Sequence, residues 1–117
     1  MIKKIMRKLQ RLVIGRDYKF PTAALCIDSQ LSDDIVKRAE RILRHNGYIV
    51  IRVVDFSEAD ENSAEEYMYY NMNKQIIENA DRVFGICVEK EDTPESITAA
   101  IKYAKQKFID TDFINFV

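Results

Sequence analysis

The chain has 117 residues, 47% of them apolar, which is enough for one buried core and too short for two independent domains. A formal net charge of -1 conceals polarity along the chain. Residues 1 to 20 carry Lys3, Lys4, Arg7, Lys8, Arg11, Arg16 and Lys19 against Asp17 alone, whereas the stretch from Asp55 to Glu66 carries Asp55, Glu58, Asp60, Glu61, Glu65 and Glu66 and no base.

A basic arm of this kind can hold nucleic acid. A solvated helix face, or a patch that meets the acidic stretch of a neighbouring subunit in a homo-oligomer, is the preferred reading. No apolar run is long enough to cross a bilayer, so no membrane span is expected. Met1-Ile2-Lys3-Lys4 leads into more charge instead of a secretory apolar region, so a cytoplasmic setting is expected. Cys26 and Cys87 each fall inside an apolar run without close metal-ligating partners and read as reduced, buried thiols. There is no zinc spacing, P-loop or GxGxxG, and three glycines are too few for a glycine-rich phosphate loop, so neither metal nor cofactor is expected.

In chain order, Ile2, Ile5, Met6, Leu9, Leu12 and Val13 recur at helical spacing among basic residues, which predicts an amphipathic basic helix over 1–16. The apolar run Thr22 to Ile27 follows Pro21 and predicts a strand buried on both faces. Ser32 is a good N-cap, Asp33 and Asp34 suit the positive helix end, and Ile35, Val36, Ala39, Ile42 and Leu43 form the stripe of a helix closed by Gly47. His45 falls in its last turn and reads as structural.

The β-branched run Tyr48 to Val54 predicts a second strand ending at Asp55. Ser63 and Glu66 have the spacing of a capping box, opening a helix to about Asn79, with Tyr67, Tyr69 and Tyr70 near its start. Packing accounts for these tyrosines, with a base-stacking surface as the alternative. Arg82 to Val88 is a third strand. Thr93-Pro94-Glu95 then supplies an N-cap, a first-position proline and a first-turn acid. Ile97, Ala100, Ile101, Ala104 and Phe108 form the last helix's apolar face, and Phe113 to Val117 a closing strand.

Strands alternating with helices predict a three-layer α/β domain of the Rossmann or flavodoxin-like kind, with parallel strands in the order 2-1-3-4. The crevice at the carboxyl ends of strands one and three, where the winding changes direction, is where such sheets bind ligands. By topology this gathers Asp28, Ser29, Gln30, Glu89, Asp92, Thr93, Glu95 and Ser96 around one cleft.

Asn79-Ala80-Asp81-Arg82-Val83-Phe84-Gly85-Ile86, followed by Ser96-Ile97-Thr98-Ala99-Ala100-Ile101-Lys102-Tyr103-Ala104, resembles the second half of the nucleoside 2-deoxyribosyltransferase-like family. The resemblance covers roughly residues 22–117. It implies a nucleoside or nucleotide ligand and, in active members, a glutamate nucleophile on the last helix that takes the sugar from its base. Aligning Ile101, Tyr103 and Ala104 puts Ala100 at that position, Ser96-Ile97 at a Gly-Thr pair and Asn73 nearest a family aspartate.

The expectation is thus a nucleoside- or nucleotide-binding protein without transferase activity, using Asp28, Ser29, Gln30, Asp55, Asn73, Glu89, Thr93 and Ser96. Two alternatives are an active N-glycosidase or deoxyribosyltransferase with a relocated carboxylate, drawn from Glu95, Glu91, Asp92 and Asp28, and a protein-interaction module that docks through its basic first helix.

Overall fold

A computed structural model describes residues 20–117. The expected amphipathic helix over 1–16, with any homo-oligomer contact it would make, lies outside the described residues. The elements follow in the order β1 (Thr22–Ile27), α1 (Asp33–His45), β2 (Ile49–Val54), α2 (Ala64–Asn79), β3 (Arg82–Val88), α3 (Glu95–Gln106) and β4 (Asp110–Phe116). All pairings are parallel and the strand order is β2-β1-β3-β4, as expected.

Alternation along the strands divides the core into two layers. Ala23, Leu25 and Ile27 of β1 meet Val36, Ala39 and Leu43 of α1 on one face. Ala24 and Cys26 meet Ile77 of α2 and Ile97, Ala100, Ile101 and Ala104 of α3 on the other. The helices therefore change sides between β1 and β3, which is the physical origin of a crevice at that point. Leu25, Ile77, Ile86 and Ile97 are fully buried, each stabilising the fold by roughly 1.5–3 kcal/mol relative to exposure.

Two features fix the β1–β3 seam. The Thr22 amide donates to Asp81 Oδ2 at 2.7 Å, and the Asp81 amide donates back to the Thr22 carbonyl at 2.9 Å. Gly85, opposite Cys26, lets α3 and β4 close over it, because a Cβ there would stand 2.8 Å from both Ile97 Cγ2 and Phe113 Cε1.

Helix ends follow the sequence in part. Ser32 caps α1, accepting from the Ile35 amide at 3.3 Å. After α1, Gly47 at φ 90 lets its own amide reach the Arg44 carbonyl and the Tyr48 amide reach the Leu43 carbonyl, closing a Schellman motif. Ser63 precedes α2 without a side-chain cap; its carbonyl takes the Tyr67 amide instead. Thr93 does not cap α3 either: Pro94 holds the cap position and the helix begins at Glu95, one residue later than expected.

The helical face assigned to Phe108 is corrected too. α3 stops at Gln106, and Phe108 sits exposed at φ 61 in the position that Gly47 fills after α1. Ile42 of the α1 stripe is 42% exposed, and Cys87 is only half-buried. No described helix is long and apolar enough to cross a membrane.

Candidate functional site

β1 ends one residue before Asp28, whose carboxylate organises the turn that follows. Oδ1 accepts the Gln30 amide at 2.8 Å, and the Asp28 carbonyl accepts the Leu31 amide at 2.9 Å, so side chain and backbone together reverse the chain. Oδ2 points across the crevice and accepts the Ser96 hydroxyl at 2.6 Å. That bond joins the end of β1 to the first turn of α3, which are 68 residues apart in sequence.

A second link joins β1 to β2. Asp55 adopts φ 48, a left-handed conformation aspartate tolerates, and its amide donates to the Ile27 carbonyl at 3.0 Å. Its Oδ1 accepts the Ser29 amide at 2.7 Å. The loop after β1 is thereby held from both sides.

Between this loop and the one after β3 lies a hollow of about 110 Å³, bordered by Gln30, Leu31, Ile86, Val88, Glu91, Asp92 and Pro94. Drug-sized ligands usually occupy roughly 300–1,000 Å³. The hollow is well below that size. Thr93 is half-buried, with its hydroxyl directed at Cys87 Sγ 3.9 Å away. Glu89, Glu91, Asp92 and Glu95 are exposed around the rim.

Of the residues expected at the site, the structure brings Asp28 together with Ser96, Ser29 with Asp55, and Gln30 with Glu91 and Asp92. Asn73 stands apart: it is 4% exposed, and its amide donates to the Val54 carbonyl at 3.2 Å, so it secures α2 to the end of β2. Ala100 is fully buried among Ile97, Ile101 and the residues of β1 and β3. Its methyl faces the core, whereas Ser96, one turn earlier, faces Asp28. Both oxygens of Asp28 accept hydrogen bonds, Oδ1 from the Gln30 amide and Oδ2 from the Ser96 hydroxyl.

Cys26 lies on β1, two residues before Asp28, and is 1% exposed. Burial pushes its thiol up to about 12, so it stays protonated and unreactive. Among the described residues there is no cluster of three or more histidine, cysteine or acidic side chains able to hold a metal ion.

Two larger hollows were not expected from the sequence. One of about 540 Å³ is lined by Asp55, Ser57, Glu58, Ala59, Glu65, Glu66 and Tyr69, and one of about 530 Å³ by Lys37, Glu40, Arg41, Arg44, His45 and Arg52. The signal for the first was present in the acidic run and the tyrosine cluster. Tyr69 turns its hydroxyl to the Val54 carbonyl at 3.1 Å, while Tyr70 packs edge-on against Phe56. Tyr70 thus serves packing, whereas Tyr69 is 46% exposed and lines the hollow. The second hollow is basic, and its rim charges are largely paired: Lys37 with Asp33 at 2.9 Å, Arg44 with Glu40 at 3.6 Å, and Arg52 with Glu40.

Compared with family models, curated proteins and solved structures, the chain matches none.

Proposed function

We propose that the cleft at the carboxyl ends of β1 and β3 binds a nucleoside and does not carry transferase chemistry. The observation that carries the reading is the Ser96–Asp28 hydrogen bond, which sets a hydroxyl and a carboxylate at the point where parallel sheets of this order take their ligands. Such a pair exchanges readily with sugar hydroxyls, which both donate and accept. The buried methyl of Ala100 supports the absence of a nucleophile at the position implied by the family resemblance.

The charge of the site favours an uncharged nucleoside over a nucleotide. Among the described residues, the loops and helix start at the carboxyl ends of β1, β2 and β3 carry Asp28, Asp55, Glu89, Glu91, Asp92 and Glu95 against Lys90. A phosphate there would face carboxylates, with no arginine or glycine-rich stretch in those described loops to compensate.

Titration calorimetry of the full chain with nucleosides and their 5′-monophosphates tests this. Nucleosides should bind, monophosphates should bind more weakly, and Ser96→Ala should weaken nucleoside binding several-fold. No heat from any nucleoside at millimolar concentration would overturn the proposal, and free base released in the same mixtures would overturn the loss of chemistry.

A further inference from the structure

The hollow of about 530 Å³ between α1 and β2, an edge strand, is lined among the described residues by charged or ionisable side chains alone. Lys37, Arg41, Arg44 and His45 share one side of α1 at helical spacing, and Arg52 meets them from β2. Glu40 is the one carboxylate among these lining residues, and none of them also borders the cleft.

Glu40 does not cancel this charge. Arg52 takes both of its oxygens, donating from Nε to Oε2 at 3.0 Å and from Nη2 to Oε1, so the two side chains make a neutral floor. Arg44 stands 3.6 Å from Oε2, beyond hydrogen-bonding range. Lys37 pairs with Asp33 at 2.9 Å, but the two side chains are 64% and 70% exposed, and so open a pair gives way to a stronger partner at little cost. Arg41 has no acidic partner among the described residues. Cations in a last helical turn are favoured by the free carbonyls there, which accounts for Arg44 and His45. It does not account for Lys37 and Arg41 in earlier turns. Beyond residues 1–20 acids outnumber bases, so this cluster runs against the charge around it.

The shape of the cluster narrows its ligand. Arginine forks match phosphate oxygens two at a time, and the space falls in the range of roughly 300–1,000 Å³ that small molecules use. With no apolar side chain in the described lining, charge and not apolar contact selects the ligand. The cationic face is also short. Asp33 and Asp34 close it at the amino end of α1, the helix stops after His45, and the rise from Lys37 to His45 is about 12 Å. A nucleic-acid backbone would continue past these limits, whereas a chain of two or three phosphates fits within them.

We propose that this hollow binds a small polyphosphate, free or carried by a nucleoside, in the forks of Arg41 and Arg44 with Lys37 beside them, above the Arg52–Glu40 pair. Nothing in this site depends on what the cleft binds.

Titrating the ¹⁵N-labelled full chain with sodium tripolyphosphate at about 150 mM salt, where loose surface attraction is screened, tests the site. Saturable amide shifts are expected at residues 37–45 and 50–53. In Arg41→Gln/Arg44→Gln, which changes exposed positions only, the dissociation constant should rise at least about tenfold with an unchanged far-ultraviolet circular dichroism spectrum. Lys102→Gln/Lys105→Gln, which removes two exposed bases from α3, should leave it within about twofold. A nucleoside triphosphate binding as tightly as tripolyphosphate would mean that the phosphate chain alone is read, and tighter binding at the same amides would name a nucleotide as its source. No saturable shift in α1 or β2 at millimolar tripolyphosphate, shifts confined to residues 1–20, or equal weakening by both double variants would overturn the proposal. A single-stranded oligonucleotide that shifts the same amides at lower concentration would assign the face to nucleic acid and overturn it too.

Discussion

Ser96 donates its hydroxyl to Asp28 Oδ2 at 2.6 Å, and the other oxygen of the same carboxylate holds the Gln30 amide at 2.8 Å. One side chain therefore shapes a turn and ties it to a helix 68 residues away. Hydrogen bonds to a charged acceptor contribute about 1.5–3 kcal/mol each when protected from water, and less in a partly open site.

Asp28→Ala should therefore destabilise more than Ser96→Ala, because it removes two acceptor roles and not one. The expected losses are about 2 and about 1 kcal/mol in urea unfolding. The double variant should lie close to Asp28→Ala, since both singles break the same bond. Additive losses would mean that the two side chains act independently.

The parallel α/β class was legible because strands alternate with helices, and the order 2-1-3-4 expected with it places the loop after β1 against the start of α3. Side-chain direction was not. Asn73 has the composition of a site residue and the position of a core anchor, and only the path of α2 over β2 decides between them. β4 also begins three residues before the apolar run that announced it, at Asp110. On an edge strand, charged Asp110 and Asp112 face solvent without penalty, so polarity hides the strand from a hydrophobic pattern.

Glu40 and Arg52 make the pH dependence of the fold testable. Glu40 is 7% exposed and accepts two hydrogen bonds from the Arg52 guanidinium, one of them at 3.0 Å. Those bonds hold the carboxyl below its ordinary value against the opposing effect of burial, with the charges of Arg52 and Arg44 adding to them. A depressed carboxylate contributes stability that is present above its unfolded pKa and lost as pH falls through the folded one. Urea midpoints should accordingly drop below about pH 4.5, and Glu40→Gln should flatten that part of the profile while costing about 1–2 kcal/mol at pH 7. An identical acid limb in the variant would remove Glu40 as its source.

Gly85 is a position where one methyl decides the packing. A Cβ would meet Ile97 Cγ2 and Phe113 Cε1 at 2.8 Å each. Gly85→Ala should destabilise by about 1–3 kcal/mol through overpacking, against the gain of about 0.5–1 kcal/mol that alanine normally brings to a strand interior. Phe113 is 37% exposed and can be trimmed. Gly85→Ala/Phe113→Ala should recover part of the loss, and strict additivity in chemical denaturation would show that Phe113 is not the obstacle.

Gly47 and Phe108 occupy the same position after two different helices, and the contrast gives a prediction of opposite signs. After α3, the Phe108 amide reaches the Lys105 carbonyl and the Ile109 amide reaches the Ala104 carbonyl, the bonding that Gly47 and Tyr48 make after α1. The backbone requirement is shared: φ is 90 at Gly47 and 61 at Phe108. A side chain held in the left-handed region costs about 1–2 kcal/mol, while glycine gives back about 0.5–1 kcal/mol through its greater freedom in the unfolded chain. Phe108 is 48% exposed, so its removal gives up only part of its contact area. Phe108→Gly should raise the urea midpoint by a net of about 0.5–1 kcal/mol. Gly47→Ala should lower it by about 1 kcal/mol although no atom lies within 4 Å of the added methyl. If both substitutions shift stability in the same direction, left-handed strain is not what separates these two helix ends.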